Sequence, residues 1–359
     1  MQFDQLNRRE FIAFIGGGAA AATAVAVATT MSYPDATNTG FRNAPGFPGS
    51  LTPWPGGAFV AGQTYRYFDF DNGTTGVSID ADNVTFIGCR FQCNDLTFYN
   101  MRANANNTTF SYCSFVPRLV LVTAPPVIAW PSAGAGQPVD ASGGYAPYMI
   151  NGNNGYKFGI SMTAGKCTVD HCDIWGFGNA GWAINANNGT GPYIITNSWI
   201  HDACNPDQNL EHTDGVFNNS LTGQSNVTVR HNTIASIGNT NAIAFQRAST
   251  PYSFLTIDSN YVSGFGWNSN VGHNIVGNNN IQFTNNVFAT DLRWVYGPLY
   301  NDYSAQFGHG STNKWSGNKL KVLPGTSPGP QAQPPVWMPA NDGRFIWPNV
   351  TLRTTDWNP

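Results

Sequence analysis

Eight stretches of this chain repeat one alternation of apolar and polar positions. They are VTFIGCRF (84–91), NTTFSYCSF (107–115), CTVDHCDI (167–174), YIITNSWI (193–200), VTVRHNTI (227–234), LTIDSNYV (255–262), IQFTNNVF (281–288) and NKWSGNKL (313–320). A period of two is the spacing of a short strand with one buried face. A Cys or Asn follows, then one residue, then another apolar one. Read as a common position, this gives Cys89, Cys113, Cys172, Asn197, Asn232, Asn260, Asn286 and Asn318, at successive gaps of 24, 59, 25, 35, 28, 26 and 32 residues. A fixed motif at a variable gap predicts a solenoid with loops inserted at its corners.

A coil of about 25 residues holds three short strands, each pairing in parallel with its counterpart one coil away. The predicted fold is all-β: a right-handed parallel β-helix of about eight or more coils with loop insertions. Asn at a tight turn tolerates left-handed φ and can bond its counterparts above and below, forming a ladder. Cys89, Cys113 and Cys172 then read as ladder members rather than redox groups, because a buried Cys packs as a small apolar residue. Stacked neighbours come within reach of a disulfide, so Cys89–Cys113 is the pair to check. A second strand precedes each motif by about ten residues, in segments 158–161, 182–185, 214–217, 241–244 and 273–276. Ile160, Ile184, Val216, Ile243 and Ile275 share one phase and should face inward, which sets Asp214, Asn241 and His273 near one edge of one sheet.

The ends of the chain read differently. Arg8-Arg9 precede an apolar, Ala/Gly-rich run that ends at Ala26-Val27-Ala28. This is the pattern of a twin-arginine export signal with a small-residue cleavage site, expected over residues 1–28. The β-helix is expected over 29–322, with a Pro/Gly-rich insert at 116–155. A Pro/Trp-rich extension over 323–359 is expected to pack on the helix and cover a strand edge. Export to the periplasm or medium follows, with no membrane insertion after cleavage and a monomeric state expected. Composition sharpens this. Charged residues make up only 10% and the net charge is -3. No basic stripe for phosphates is available, which excludes a nucleic-acid partner.

Against so few charges, one cluster stands out. Residues 201–215 hold His201, Asp202, Asp207, Glu211, His212 and Asp214. Asp202, Asp207, Glu211 and Asp214 are candidate Ca²⁺ ligands, since hard cations take carboxylate oxygens. Glu211, His212 and Asp214, with Arg247 and His273, are candidate catalytic groups. Paired carboxylates can divide general acid and base work, and cations can offset the charge that builds on proton removal beside a carboxylate. Lys157, Trp182, Asn185, Arg230, Asn241 and Arg293 are candidate substrate contacts. A turn-capping, solvated loop remains the plain alternative for the cluster.

Two stretches carry a family resemblance. Val169-Asp170-His171-Cys172-Asp173-Ile174 resembles the Ile-Asp-His-Cys-x-Phe strand of bacterial β-helix proteins of the pectate-lyase-like superfamily. Asp214-Gly215-Val216-Phe217, followed by residues 227–232, resembles their Asp-Gly strand and the next Val-Thr-Val-x-x-Asn strand. The resemblance implies a glycan groove on one sheet, often with Ca²⁺ at its acids, and gives Asp214 and Glu211 metal or catalytic roles. The lyases' Arg-x-Pro-x-x-Arg segment is missing; the nearest stretch is Arg247-Ala-Ser-Thr-Pro251. Three functions stay open: a polysaccharide lyase acting by β-elimination, a glycoside hydrolase using Glu211 and Asp214, and a non-catalytic glycan-binding protein.

Overall fold

The computed structural model describes residues 32–71, 76–93, 99–117, 156–163, 166–186, 191–201, 203, 213–236, 240–245, 248–271, 277–289, 297–299 and 312–321. The proposed export signal, most of the 116–155 insert and the C-terminal extension lie outside them. The described strands form three all-parallel sheets of a right-handed β-helix. In the order the chain visits them, sheet 1 has eight strands, sheet 2 has nine and sheet 3 has ten. Sheet 3 reaches Pro117, two residues into the expected insert.

Period-two alternation fixes the core. On sheet 2 one inward column runs Tyr65, Phe86, Phe110, Val169, Ile195, Val229, Ile257, Phe283 and Trp315, every member in register with the next. All are buried. Aromatic rings stack at both ends of the solenoid. Phe70 and Phe91 lie 4.7 Å apart with their planes nearly parallel, and Phe283 and Trp315 lie 4.5 Å apart. The middle of the sheet 2 column is aliphatic, from Val169 to Ile257. Lys314, Lys319 and Lys321 sit on the last strands of sheets 2 and 3, where charge discourages pairing with another chain.

From the second coil on, the corner from sheet 2 to sheet 3 uses two residues. The first takes the left-handed conformation: Gly88, Tyr112, His171, Asn197, His231, Ser259, Asn285 and Gly317 all have φ between 49° and 68°. The second is the ladder rung. The rung is therefore not the left-handed residue, contrary to the expectation from sequence. One rung is also reassigned. Asp170 pairs with Thr196, which places Asn197 at the left-handed position and Ser198 on the ladder.

One bonding rule then runs through Cys, Ser and Asn rungs alike. From Cys113 on, each rung's backbone N–H donates to the side chain of the rung one coil on: Cys113 to Cys172 Sγ, Cys172 to Ser198 Oγ, Ser198 to Asn232 Oδ1, Asn232 to Asn260 Oδ1, Asn260 to Asn286 Oδ1 and Asn286 to Asn318 Oδ1. The Asn amides also donate back to the carbonyls of Ile195, Val229, Ile257 and Phe283. Sγ of Cys113 and Cys172 donates likewise to the carbonyls of Phe86 and Phe110, at 3.6 and 3.7 Å.

The five described cysteines hold thiols, and Cys89–Cys113 is not the disulfide considered from sequence. Burial pushes the Cys89 and Cys113 thiols far above their usual range and Cys167 up to about 12. Only the thiolate is reactive. All five described thiols are buried, out of reach of reagent, and are expected to stay silent toward Ellman's reagent in the native protein and to react after unfolding in guanidinium. Rapid native labelling mapped to Cys113 or Cys172 would contradict the ladder.

Sheet 1 departs from simple alternation. A Cβ built on Gly159, Gly181 or Gly215 would lie 2.5–2.6 Å from Cγ2 of Ile174, Ile200 or Ile234 on sheet 3. Ala242 continues this inward row and packs in the core. The next residues, Ile160, Trp182, Val216 and Ile243, also face the core. Two successive inward positions therefore pinch sheet 1 toward sheet 3. Ile184 is inward too, but it pairs with Met162, one pair further along than expected.

Candidate functional site

Coil length varies only at the two corners that flank sheet 1. Between sheets 3 and 1 the chain inserts 118–155, 202–213 and 290–296 in three coils, but Gly176 alone in another. Between sheets 1 and 2 the connections include 185–192, 219–224, 246–252 and 300–313. The sheet 2 to sheet 3 corner accepts nothing, because the ladder consumes both of its residues. Insertions in a solenoid collect beside its binding face, so sheet 1 is the candidate site.

Asp214 lies on this sheet. One row across the strands runs Phe158, Ala180, Asp214, Asn241 and Trp267. The inward Gly215 and Val216 that follow turn Asp214 to the outer face. Its Oδ1 accepts the Asn241 backbone N–H at 2.8 Å and the Asn241 amide at 3.1 Å. The preceding Thr213 donates to the Gly178 carbonyl, and its own carbonyl accepts Thr240 Oγ1. Asp214 is thus fixed to the coils on both sides and is fully buried. Beside it lies a buried apolar patch of Ala180, Ala183, Phe217 and Ala244, with Phe158 packed against it.

The expected site residues divide as follows. Asp214 and Asn241 are brought together. Lys157 is on the same sheet, two strands from Asp214. Asn185 bonds Ser161 and Asn219, forming a side-chain ladder at the other end of these strands. Trp182 is not a substrate contact: it faces the core and is fully buried, because its phase matches Val216. Arg230 is not beside Asp214 either. It ends a sheet 2 strand, is mostly exposed and pairs with Asp258 at 3.3 Å. The strand that pairs with Asn241–Phe245 is Trp267–Val271, so Trp267 takes the place in the row expected for His273; the expected segment 273–276 lies outside the described residues. Asp202, Asp207, Glu211, His212, Arg247, His273 and Arg293 lie outside the described residues. Among the described residues no three His, Cys, Asp or Glu side chains converge as metal ligands.

Two further groupings come from stacking. On the sheet 2 edge, burial raises the Asp170 carboxyl, but hydrogen bonds from His171, Asn197 and Thr196 outweigh it and hold the pKa below the usual value. His231 is lowered by burial and by nearby His171 and Arg230. Tyr33, from the segment ahead of the first coil, stacks on His231.

On sheet 3, Asp173 Oδ1 meets His201 Nε2 at 2.8 Å, and His201 stacks with Trp199 and, more distantly, Trp175. In the sequence His201 stands out only as a member of the acidic stretch. The signal was present: Trp175 and His201 fall at matched outward positions of adjacent coils once the rung is set at Ser198. No family model, curated protein or solved structure matches this chain.

Proposed function

We propose that this protein is an exported enzyme of the pectate-lyase-like kind that cleaves a polysaccharide laid across sheet 1. One observation carries this reading: every length variation of the coils flanks the sheet on which Asp214 is held. The lyase-like strand sequences and the acid-rich connection 202–213, which enters the Asp214 strand, support it. The favoured reaction is β-elimination on a uronate-containing glycan. Asp214 would act with Glu211, His212, Arg247 or His273, and Ca²⁺ would be held by Asp202, Asp207, Glu211 and Asp214. When bound, the ion would neutralise the uronate carboxylate and so acidify the proton beside it. The leader over 1–28 would direct export, and the protein would work as a monomer.

A second reading, hydrolysis by Glu211 and Asp214, draws support from the low cation count. Seventeen Lys and Arg in 359 residues suit a neutral glycan better than a polyanion.

Incubation with pectate, alginate and neutral glycans, with and without chelator, separates these readings. New absorbance from unsaturated uronate ends, lost with chelator, is the expected result. Asp214→Asn should lower turnover by about a hundredfold or more, the usual worth of a positioned acid or base. Reducing ends without the double bond would select hydrolysis. Tight glycan binding without any turnover would overturn both in favour of a binding protein.

A further inference from the structure

We infer that the outer face of sheet 3 carries a second sugar-binding pocket, for an acidic sugar residue; the choice of a glycan rests on the function proposed above. Residues 36–43, which precede the first coil, lie across the strands of coils that follow much later in sequence. The Gly40 N–H donates to the His171 carbonyl at 2.9 Å, and the Phe41 N–H donates to Ser114 Oγ at 3.2 Å. Gly40 has φ 77°, and a Cβ there would strike Ser114 Oγ at 2.7 Å and Asp173 Cβ at 3.0 Å. The segment is therefore seated against the sheet.

Between the segment and the sheet lies a cavity of about 170 Å³, lined on the sheet side by Arg90, Ser114, Val116, Asp173 and Trp175 and on the other side by Arg42 among others. That is room for one sugar ring rather than a drug-sized ligand.

The lining has the parts that recognise such a ring. Trp175 offers an indole beside the cavity, and aromatic faces stack on the apolar face of a sugar. Asp173 is held by His201, whose side chain is only 8% exposed and which is packed on Trp199. A carboxylate fixed in this way suits sugar hydroxyls. Arg90 is already neutralised: Nε and Nη2 meet the two oxygens of Asp69 at 3.0 and 2.6 Å, and Gln92 joins them.

Arg42 differs. It lies against the Phe41 ring at 5.1 Å and makes no ion pair among the described residues. Its guanidinium gives the cavity a cation to spend on a carboxylate, in the bidentate geometry that Arg favours. An acidic sugar satisfies all three groups at once; a neutral sugar leaves Arg42 idle.

The pocket also adjoins sheet 1. Trp175 ends its strand, and Gly176 alone separates it from Phe177, where the sheet 1 strand begins. The corners before and after this one carry 118–155 and 202–213. A glycan crossing sheet 1 at this coil therefore meets Trp175 after a single residue.

The test uses the full chain carrying Asp214→Asn, so that no probe is consumed. Trigalacturonate, trimannuronate and maltotriose are titrated by equilibrium dialysis, with tryptophan fluorescence as a second readout. At least one acidic trimer should bind at least tenfold more tightly than maltotriose. Arg42→Gln should weaken that trimer about tenfold and abolish its advantage, the usual worth of a charge-assisted contact. Trp175→Phe should remove most of the fluorescence change. Arg230→Gln, on sheet 2, should alter neither.

Unchanged affinity in Arg42→Gln, equal binding of maltotriose, or no binding of any trimer would overturn the pocket. The two readings fail separately. Cleavage by the parent chain with unchanged trimer affinity in Arg42→Gln removes the pocket and spares the enzyme. Arg42-dependent binding without cleavage removes the enzyme and spares the pocket.

Discussion

Asn260→Ala is expected to destabilise the protein by about 3–6 kcal/mol. Asn260 is a middle rung with every polar atom engaged. Its Oδ1 accepts both the backbone N–H and the amide of Asn232, and its amide donates to the Val229 carbonyl and to Asn286 Oδ1. It is fully buried, so no water replaces the lost partners. Alanine leaves the Asn232 N–H without its acceptor and takes a donor from Val229 and Asn286. Each buried polar group left unpaired costs about 1–3 kcal/mol, against a typical total of about 5–15.

Asn260→Ser should cost about half as much, because Ser198 already performs the rung's duties. Its Oγ accepts the Cys172 N–H at 3.0 Å and donates to the Thr196 carbonyl at 2.7 Å. Urea unfolding followed by far-UV circular dichroism measures the loss. Solenoids can unfold in sections, so hydrogen exchange at the Asn232 and Ser259 amides should be read alongside it. A loss below about 1 kcal/mol for alanine would mean that the ladder is ornamental.

Gly215→Ala is expected to cost about 3 kcal/mol or more, although it adds one methyl group. The reason is space rather than backbone conformation. The new Cβ would sit 2.5 Å from Ile234 Cγ2 and 2.6 Å from the Ala242 carbonyl oxygen. A side chain can rotate away, but the carbonyl belongs to the neighbouring strand and moves only with it. Overpacking a core costs about 1–3 kcal/mol where side chains can yield; here the sheet itself must part.

Gly181→Ala should be milder, since its nearest backbone oxygen, that of Gly215, is 3.1 Å from the added carbon. Thermal melts of the two variants should therefore separate, with Gly215→Ala the lower. Identical melts would refute the packing account. The comparison also bears on how Asp214-Gly215 is read: the glycine has a steric reason of its own, independent of any chemistry at the aspartate.

Much of this was legible in the residues. The alternation gave strand positions that survive in the eight strands of the sheet 2 column from Phe86 to Trp315, because a one-residue slip would turn Phe110 or Ile257 to solvent, but it did not give the strand of Tyr65 that precedes them. Asn197 reads as a rung in the sequence because Asn suits both turn positions: it tolerates left-handed φ and it bonds well as a rung. Only the pairing of Asp170 with Thr196 separates those roles. Trp182 reads as the counterpart of Asp214 when segments 182–185 and 214–217 are aligned, but it pairs with Val216, two residues further on; a slip of two keeps the phase, so period-two counting cannot detect it. The Asp173–His201 contact joins residues 28 apart on adjacent strands, and becomes legible only once the rung is set at Ser198.

The sequence by itself determined the β-helix, its repeating corner and its invariant core, because those depend on side-chain period and on turn residues that recur in every coil. The tertiary structure alone decided which residue of each corner carries the ladder, which face Asp214 occupies, and that Arg230 belongs to a different sheet. It also decided that a segment from the start of the chain lies over sheet 3 with Arg42 at a cavity. These depend on contacts between residues tens of positions apart, and in a solenoid such distances are set by the lengths of the intervening loops.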